Sequence, residues 1–500
     1  MKGDDVRLGF LVANIGKISS NEETTNKVIK FRKNKKMGNR IFSKVSILLA
    51  AMVLINTSIQ AQSWLGSKVL TVHNSLQTNT YAQKVRPYGE NFLIALSKKP
   101  NVNHYCFEAW QDGQTSVIRG FLNAADIVVS DFKVFDDTVY FCGKRLTNQG
   151  NYIGVIGRFD IASFISGGNA SYDLIDINNT TNLTSLIAYR KPASHVIYVV
   201  AIGLQENTIG NVLGRYVFMW YDSYTGVTNY QVQYAIPPNL TSIEYLQDIA
   251  LTDNRVVTAS RLYPDNTFIV RTFDIADPLN EQASNNFTCP NLSFYTTSDP
   301  YEYPVHITAL NVDTIALSVG ATDGPNDFTM VSKLHPQSQN ISSTQQIYHF
   351  DKESKVLEMD YSSETNKLLL LTSSNFQGQG IRQSINILNP DATQSYLISV
   401  ELLSTLNELN HLCVLPHSRY ALAGTQPHTT SGVYYHLLSV KYIPHNPANC
   451  MNTYNDNTGV VNLPVATNAQ ALQNFNLTSV IWTSDNFNMD SDSWNTDCSE

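Results

Sequence analysis

Between Tyr81 and His445 short apolar runs and polar turns alternate on a repeating plan. A strand-like run leads through a tight polar turn into a very apolar second strand. A variable loop, a third alternating strand and a weaker fourth follow. The clearest copy spans Asp126 to Ile177 as DIVVSDFKVFDD, TVYFCGKR, YIGVIGRFDI and ASYDLIDI. Second strands of the same kind start at Asn91, His195, Arg255, Thr314, Lys367 and Arg419, which with TVYFCGKR makes seven. Most third strands end in Asp, Asn, Gly or Pro, the turn chemistry that closes a hairpin onto a fourth strand. The shared FDIA of Phe159–Ala162 and Phe273–Ala276 supports true internal repetition.

Copies spaced roughly fifty residues apart fall where one repeat is one supersecondary unit, and four strands per unit is the count of a propeller blade. The pattern therefore predicts an all-β chain: a seven-bladed β-propeller of four-stranded blades over residues 62–445. The seventh unit lacks a fourth strand of its own, because Pro444–Tyr454 is broken by prolines and asparagines. SKVLTV, Ser67–Val72, is expected to supply it and so close the ring, leaving no exposed sheet edge. Six or eight blades, or an array of sandwich domains, are the alternatives the same pattern leaves open. The hydrophobic content of 43%, with 26 Tyr and 21 Phe, is enough for a large core and favours strands over helices.

On this repeat pattern the chain resembles the secreted seven-bladed propellers common in surface-living bacteria. The resemblance covers Tyr81–His445 and implies a fold, not a set of catalytic residues. The sequence holds no WD dipeptide ending a blade, no kelch double glycine, no YWTD and no sialidase box.

Charge changes the picture at both ends. Residues 1–44 hold eleven Lys/Arg against four acids, whereas residues 62–500 hold 23 Lys/Arg against 38 acids. An acidic body without a basic stripe excludes nucleic acid as the expected partner. Before it, KKMGNRIFSKVSILLAAMVLINTSIQA (35–61) has a basic start, an apolar run from Val45 to Ile55 and a small residue, Ala61, ahead of Gln62. This is the form of a signal peptide, and the run is too short for a bilayer, which takes about twenty residues. The expectation is a secreted, periplasmic or cell-surface protein with no stable membrane span after signal removal. Residues 1–36 precede an internal Met37 at which translation is expected to begin. Residues 446–500 have six acids, no Lys or Arg and many Asn and Thr, and read as a flexible or loosely packed tail with a short helix around Ala466–Phe475.

The six cysteines are too few for a disulfide scaffold. Cys106, Cys142 and Cys413 sit in apolar strand patterns and read as small buried hydrophobes, while Cys450 and Cys498 flank the tail and are able to pair in an oxidising compartment. In a propeller the first strand of each blade lines the channel, which makes Asp131, Ser185, Asp248, Thr308, Asp360 and His411 the channel candidates. Of these, Asp131, Asp248, Asp360 and His411 are the candidate ligand-binding residues, since a carboxylate ring offers oxygens to a hard cation or a polyol. The plainer reading is a water-filled channel with solvated polar walls. Five of the eleven histidines, His411, His417, His428, His436 and His445, fall in the last unit, yet strand topology puts their loops on different faces. The tail segment Asp485–Asp497 alternates oxygen side chains but lacks the Gly and terminal Glu of a calcium loop. No nucleophile elbow, zinc-protease motif or phosphate loop is present, and no cofactor is expected. The functional expectation is an exported binding or interaction module for a glycan or protein. The alternative is a carbohydrate-active hydrolase or lyase with carboxylates near the channel mouth.

Overall fold

The chain divides into two units, Met1–Leu65 and Gly66–Glu500. The computed structural model describes residues 68–72, residues 81–288 apart from short stretches in their loops, and the strands and turns of residues 293–499 given below. Residues 35–61, where a signal peptide is expected, Cys289 and Cys450, and the histidines at 428 and 445, lie outside the described residues.

Among its described residues the second unit is all-β apart from one helical turn, Ile161–Ile165. Its strands form successive antiparallel meanders. The first is Tyr81–Tyr88, Phe92–Lys98, Tyr105–Gln111 and Ser116–Leu122; the second is Ile127–Phe135, Thr138–Leu146, Tyr152–Asp160 and Ser171–Ile177. The third and fourth begin at Asn182–Arg190 and Ile243–Leu251, and end at Thr228–Tyr234 and Glu281–Thr288. The fifth is built on His306–Asn311, Thr314–Thr322 and Asp327–Pro336, the sixth on Ser354–Ser362 through Ile398–Leu402. The seventh has Glu408–Leu415, Arg419–Pro427 and Tyr434–Tyr442. Each second strand lies where the apolar pattern places it. The first strands touch in a closed cycle, each against the next, with Glu408–Leu415 against Tyr81–Tyr88.

That arrangement explains why the second strands are apolar on both faces. Val139, Tyr140, Phe141, Cys142 and Gly143 are consecutive and all buried, because a neighbouring meander covers each side. The core accordingly lies between meanders. Phe107, Phe132, Phe141 and Phe159 fill the gap between the first and second, and Cys142, Ile156, Leu186 and Val199 that between the second and third. Cys106, Cys142 and Cys413 are buried free thiols, as the pattern predicts.

Strand Lys68–Val72 pairs antiparallel with Tyr434–Tyr442, Val69 opposite Ser439, and thereby gives the seventh meander its fourth strand. The tail, by contrast, corrects the expectation of a loose appendage. Met451–Tyr454 adds to the outer edge of the sixth meander, Val465–Asn468 to the fourth, and Gln473–Asn474 with Thr478–Val480 to the third. Thr483–Ser493 then bridges the second and first, and Asn495–Ser499 pairs with Lys68–Val72. The tail is a strap that covers outer edges in reverse chain order. The described residues of Ala466–Phe475, where a helix is predicted, include the strands Val465–Asn468 and Gln473–Asn474, and the acidic stretch from Asp485 lies in strand Thr483–Ser493, in keeping with its lack of a calcium-loop pattern. Open edges recruit strands more strongly than tail composition favours disorder.

Buried charges also knit the meanders internally. Arg119 Nε donates to Glu108 Oε1 at 2.9 Å with both side chains fully buried, and Arg271 lies between Glu244 (2.8 Å) and Glu281 (2.7 Å).

Candidate functional site

Six first strands carry a bulge at the same place, where pairing register shifts just before Lys84, Asp131, Ser185, Asp248, Glu358 and His411. A bulge re-aims the following side chain. The second strands accommodate it with small residues: a Cβ on Gly143 would come within 1.9 Å of Val128 O, and one on Gly203 within 2.0 Å of Asn182 O. In the fifth meander His306 holds the equivalent position, since Ile307 N–H is used as Leu186 N–H is, to meet a neighbouring aspartate. All seven positions are polar. Because strand side chains repeat every second residue, a further tier follows two residues on: Arg86, Lys133, Ile187, Ala250, Thr308, Asp360 and Cys413.

The predicted aspartates turn out to be fasteners between meanders. Asp131 Oδ2 accepts from Ser185 Oγ (2.9 Å) and Leu186 N (3.3 Å), and Asp248 Oδ2 accepts from Ile307 N (3.0 Å). Asp360 Oδ2 likewise accepts from Val414 N at 2.7 Å. Asp131, only 1% exposed, is no solvated wall residue. Burial disfavours its charge, but the Lys84 ammonium at 2.8 Å, with Lys133 and Arg86 behind it, holds its carboxyl well below the usual range. The described residues contain no group of three or more His, Cys, Asp or Glu arranged to hold a metal ion.

His411 is fully buried, its Nδ1 3.5 Å from the donating Val85 N–H and its Nε2 3.2 Å from Glu358 Oε2 without hydrogen-bond geometry. His417 is exposed on a turn, and His428, the one histidine that strand topology could bring towards His411, lies outside the described residues. The sequence reading missed Lys84, Arg86, Lys133, His306 and Glu358. Their signal was present: each lies at the bulge position or two residues from it.

Around the second tier lies a cavity of about 280 Å³. Arg86 and Lys133 line it from the first two meanders, and Ile187, Ala188, Ile249, Ala250, Leu251, Ile307 and Ala309 from the next three. Asp248, Glu358, Met359 and Asp360 complete the wall, whereas Asp131 and His411 stand outside it. Most of these residues occupy the C-terminal halves of the first strands, which places the cavity towards the first-to-second-strand turns.

Burial pushes the Glu358 carboxyl up, with Arg86 and Lys84 opposing, and pushes the Lys133 ammonium down, reinforced by Arg86. Burial also drives the His411 imidazole well below its usual range, with Arg86, Lys84, Lys133 and His306 adding to the shift. A base depressed in the folded state costs stability as pH falls below its unfolded pKa of about 6.5. Burial lowers the His306 imidazole, but Asp248 outweighs it and the group is raised overall; this raised base, like the raised Glu358 carboxyl, acts on stability with the opposite sign to His411. Between pH 7 and pH 5 the fall in Tm is therefore expected to be smaller in His411→Asn than in the parent protein. Parallel Tm–pH curves would show that His411 is not buried neutral.

No family model matches the chain, and no curated protein matches it. Among solved structures it is similar to the crystal structure of polysaccharide lyase Uly1, with a TM-score of 0.40 and 8% identity over 73% of this chain and 90% of that one. Among the described residues no helix is long and apolar enough to cross a membrane.

Proposed function

We propose that the chain is an exported, closed seven-bladed β-propeller that works as a binding module for a glycan or protein, whose exposed end enters the central cavity. The cycle of first strands and the N-terminal strand on the seventh meander support the propeller reading. The observation that carries the binding reading is the cavity itself, a pocket at the hub of a rigid scaffold with a few charged groups set among apolar ones. Carboxylates of Asp248, Glu358 and Asp360 on one cavity wall favour a second reading, a carbohydrate-active hydrolase or lyase, since glycoside chemistry uses paired carboxyl groups.

The test is a glycan array run on the exported protein alongside an assay for cleavage of each bound glycan. Retention without cleavage is expected for the module, and cleavage lost in Glu358→Gln would establish the enzyme instead. No retention on any glycan would remove that partner class.

A further inference from the structure

The cavity wall is divided by charge. Arg86 and Lys133 form a basic arc on neighbouring strands, Glu358 and Asp360 an acidic arc on the sixth meander, Asp248 a further carboxylate on the fourth, and mainly aliphatic residues of the third to fifth meanders the remainder. Opposite charges this close would ordinarily pair, yet they do not. Arg86 Nη2 reaches only Asp131 Oδ1, at 4.0 Å, and Arg86 Nε is buried with no hydrogen-bond partner among the described residues. Lys133 Nζ is likewise no nearer than 4.0 Å to a carboxylate, and the one ion-pair contact of Glu358 is His411. A cation and a carboxylate that are both largely buried, and neither in a direct hydrogen-bonded ion pair, are costly unless something bridges them.

A bridging ligand needs a carboxylate for Arg86 and Lys133, a cation for Glu358 and Asp360, and an apolar body for Ile187, Ala250, Leu251 and Ile307. Size limits it further. Pockets for drug-sized ligands run roughly 300–1,000 Å³, so about 280 Å³ admits a small molecule or the end of a chain and not a longer stretch of one. A neutral sugar matches this lining less closely than a zwitterion does. No aromatic ring lines the cavity, and Thr308 is its one neutral polar side chain. We propose that the cavity binds an aliphatic α-amino acid, its carboxylate on Arg86 and Lys133, its ammonium on Glu358 and Asp360, and its side chain on the aliphatic arc. The inference rests on the cavity being the binding site and names the ligand class it takes.

Calorimetric titration of the exported protein with L-leucine, N-acetyl-L-leucine and L-leucinamide tests each charge separately. Leucine is expected to bind and to raise Tm, while the derivatives lacking the ammonium or the carboxylate bind at least about thirtyfold more weakly, the loss typical when one partner of a buried charge pair is removed. Arg86→Gln and Glu358→Gln are each expected to weaken leucine by a similar factor. Equal binding of leucine and either blocked form would overturn the proposal, as would undiminished leucine binding in both variants. The leucine comparison is read on the parent protein, so it decides the matter even if a variant fails to fold. If no amino acid binds while a glycan is retained, the ligand class falls and the binding-module reading stands. If neither binds, the amino-acid ligand and the glycan partner both fall.

Discussion

Deleting residues 62–75 is expected to lower the melting temperature by more than any single side-chain truncation and to drive the protein into oligomers. Strand Lys68–Val72 is not a terminal trim. It lies between Tyr434–Tyr442 on one side and Asn495–Ser499 on the other, so its loss unpairs the seventh meander and releases the end of the strap together. The bared edge would present a row of free N–H and C=O groups to other copies. The cost extends beyond one sheet, because Tyr81–Tyr88 packs against all three remaining strands of the seventh meander. Calorimetry with size-exclusion chromatography checks the outcome. An unchanged Tm with a monomeric profile would show that the last meander is stable without its borrowed strand.

That strand was legible because its partner was visibly incomplete: proline and asparagine after Pro444 leave a three-stranded unit. The second strands were legible for a different reason. A strand covered on both faces needs an unbroken apolar run, and TVYFC and LLLL announce it. The site was read only in part. Asp131, Asp248, Asp360 and His411 stood out as polar residues in first strands, but their partners lie one meander away, and hydrogen bonds of that kind leave no local pattern. Lys84, Arg86, Lys133 and Glu358 looked like ordinary outward charges. The shift that turns them inward comes from the bulge, whose mark is a small residue on the following strand: Ser97, Gly143, Gly203, Ser260, Thr372 and Gly424. Buried pairs such as Glu108–Arg119 were illegible because each charge alone fits a half-exposed strand.

The tail was misread because acids and asparagines dominate its composition, although its apolar residues alternate as a strand requires. Phe487 and Met489 share a face, and between them Asn488 points to solvent. Phe487 is 7% exposed and enters the aromatic cluster between the first two meanders, with ring centroids 4.8 Å from Tyr172 and 5.1 Å from both Phe159 and Phe164. Polar bonds hold it in register: Phe487 N donates to Ala170 O at 2.9 Å, and Tyr172 Oη donates to Asp485 Oδ2 at 3.1 Å. Phe487→Ala would leave a cavity lined by three rings, and truncations of that kind cost about 3–5 kcal/mol. Ile481→Ala, at a residue 89% exposed on the same strap, is expected to change stability by no more than about 0.5 kcal/mol. Urea unfolding of the two variants beside the parent measures the difference. If Phe487→Ala unfolds at the parent's midpoint, the strap contributes little to stability and its pairing with the first two meanders is incidental.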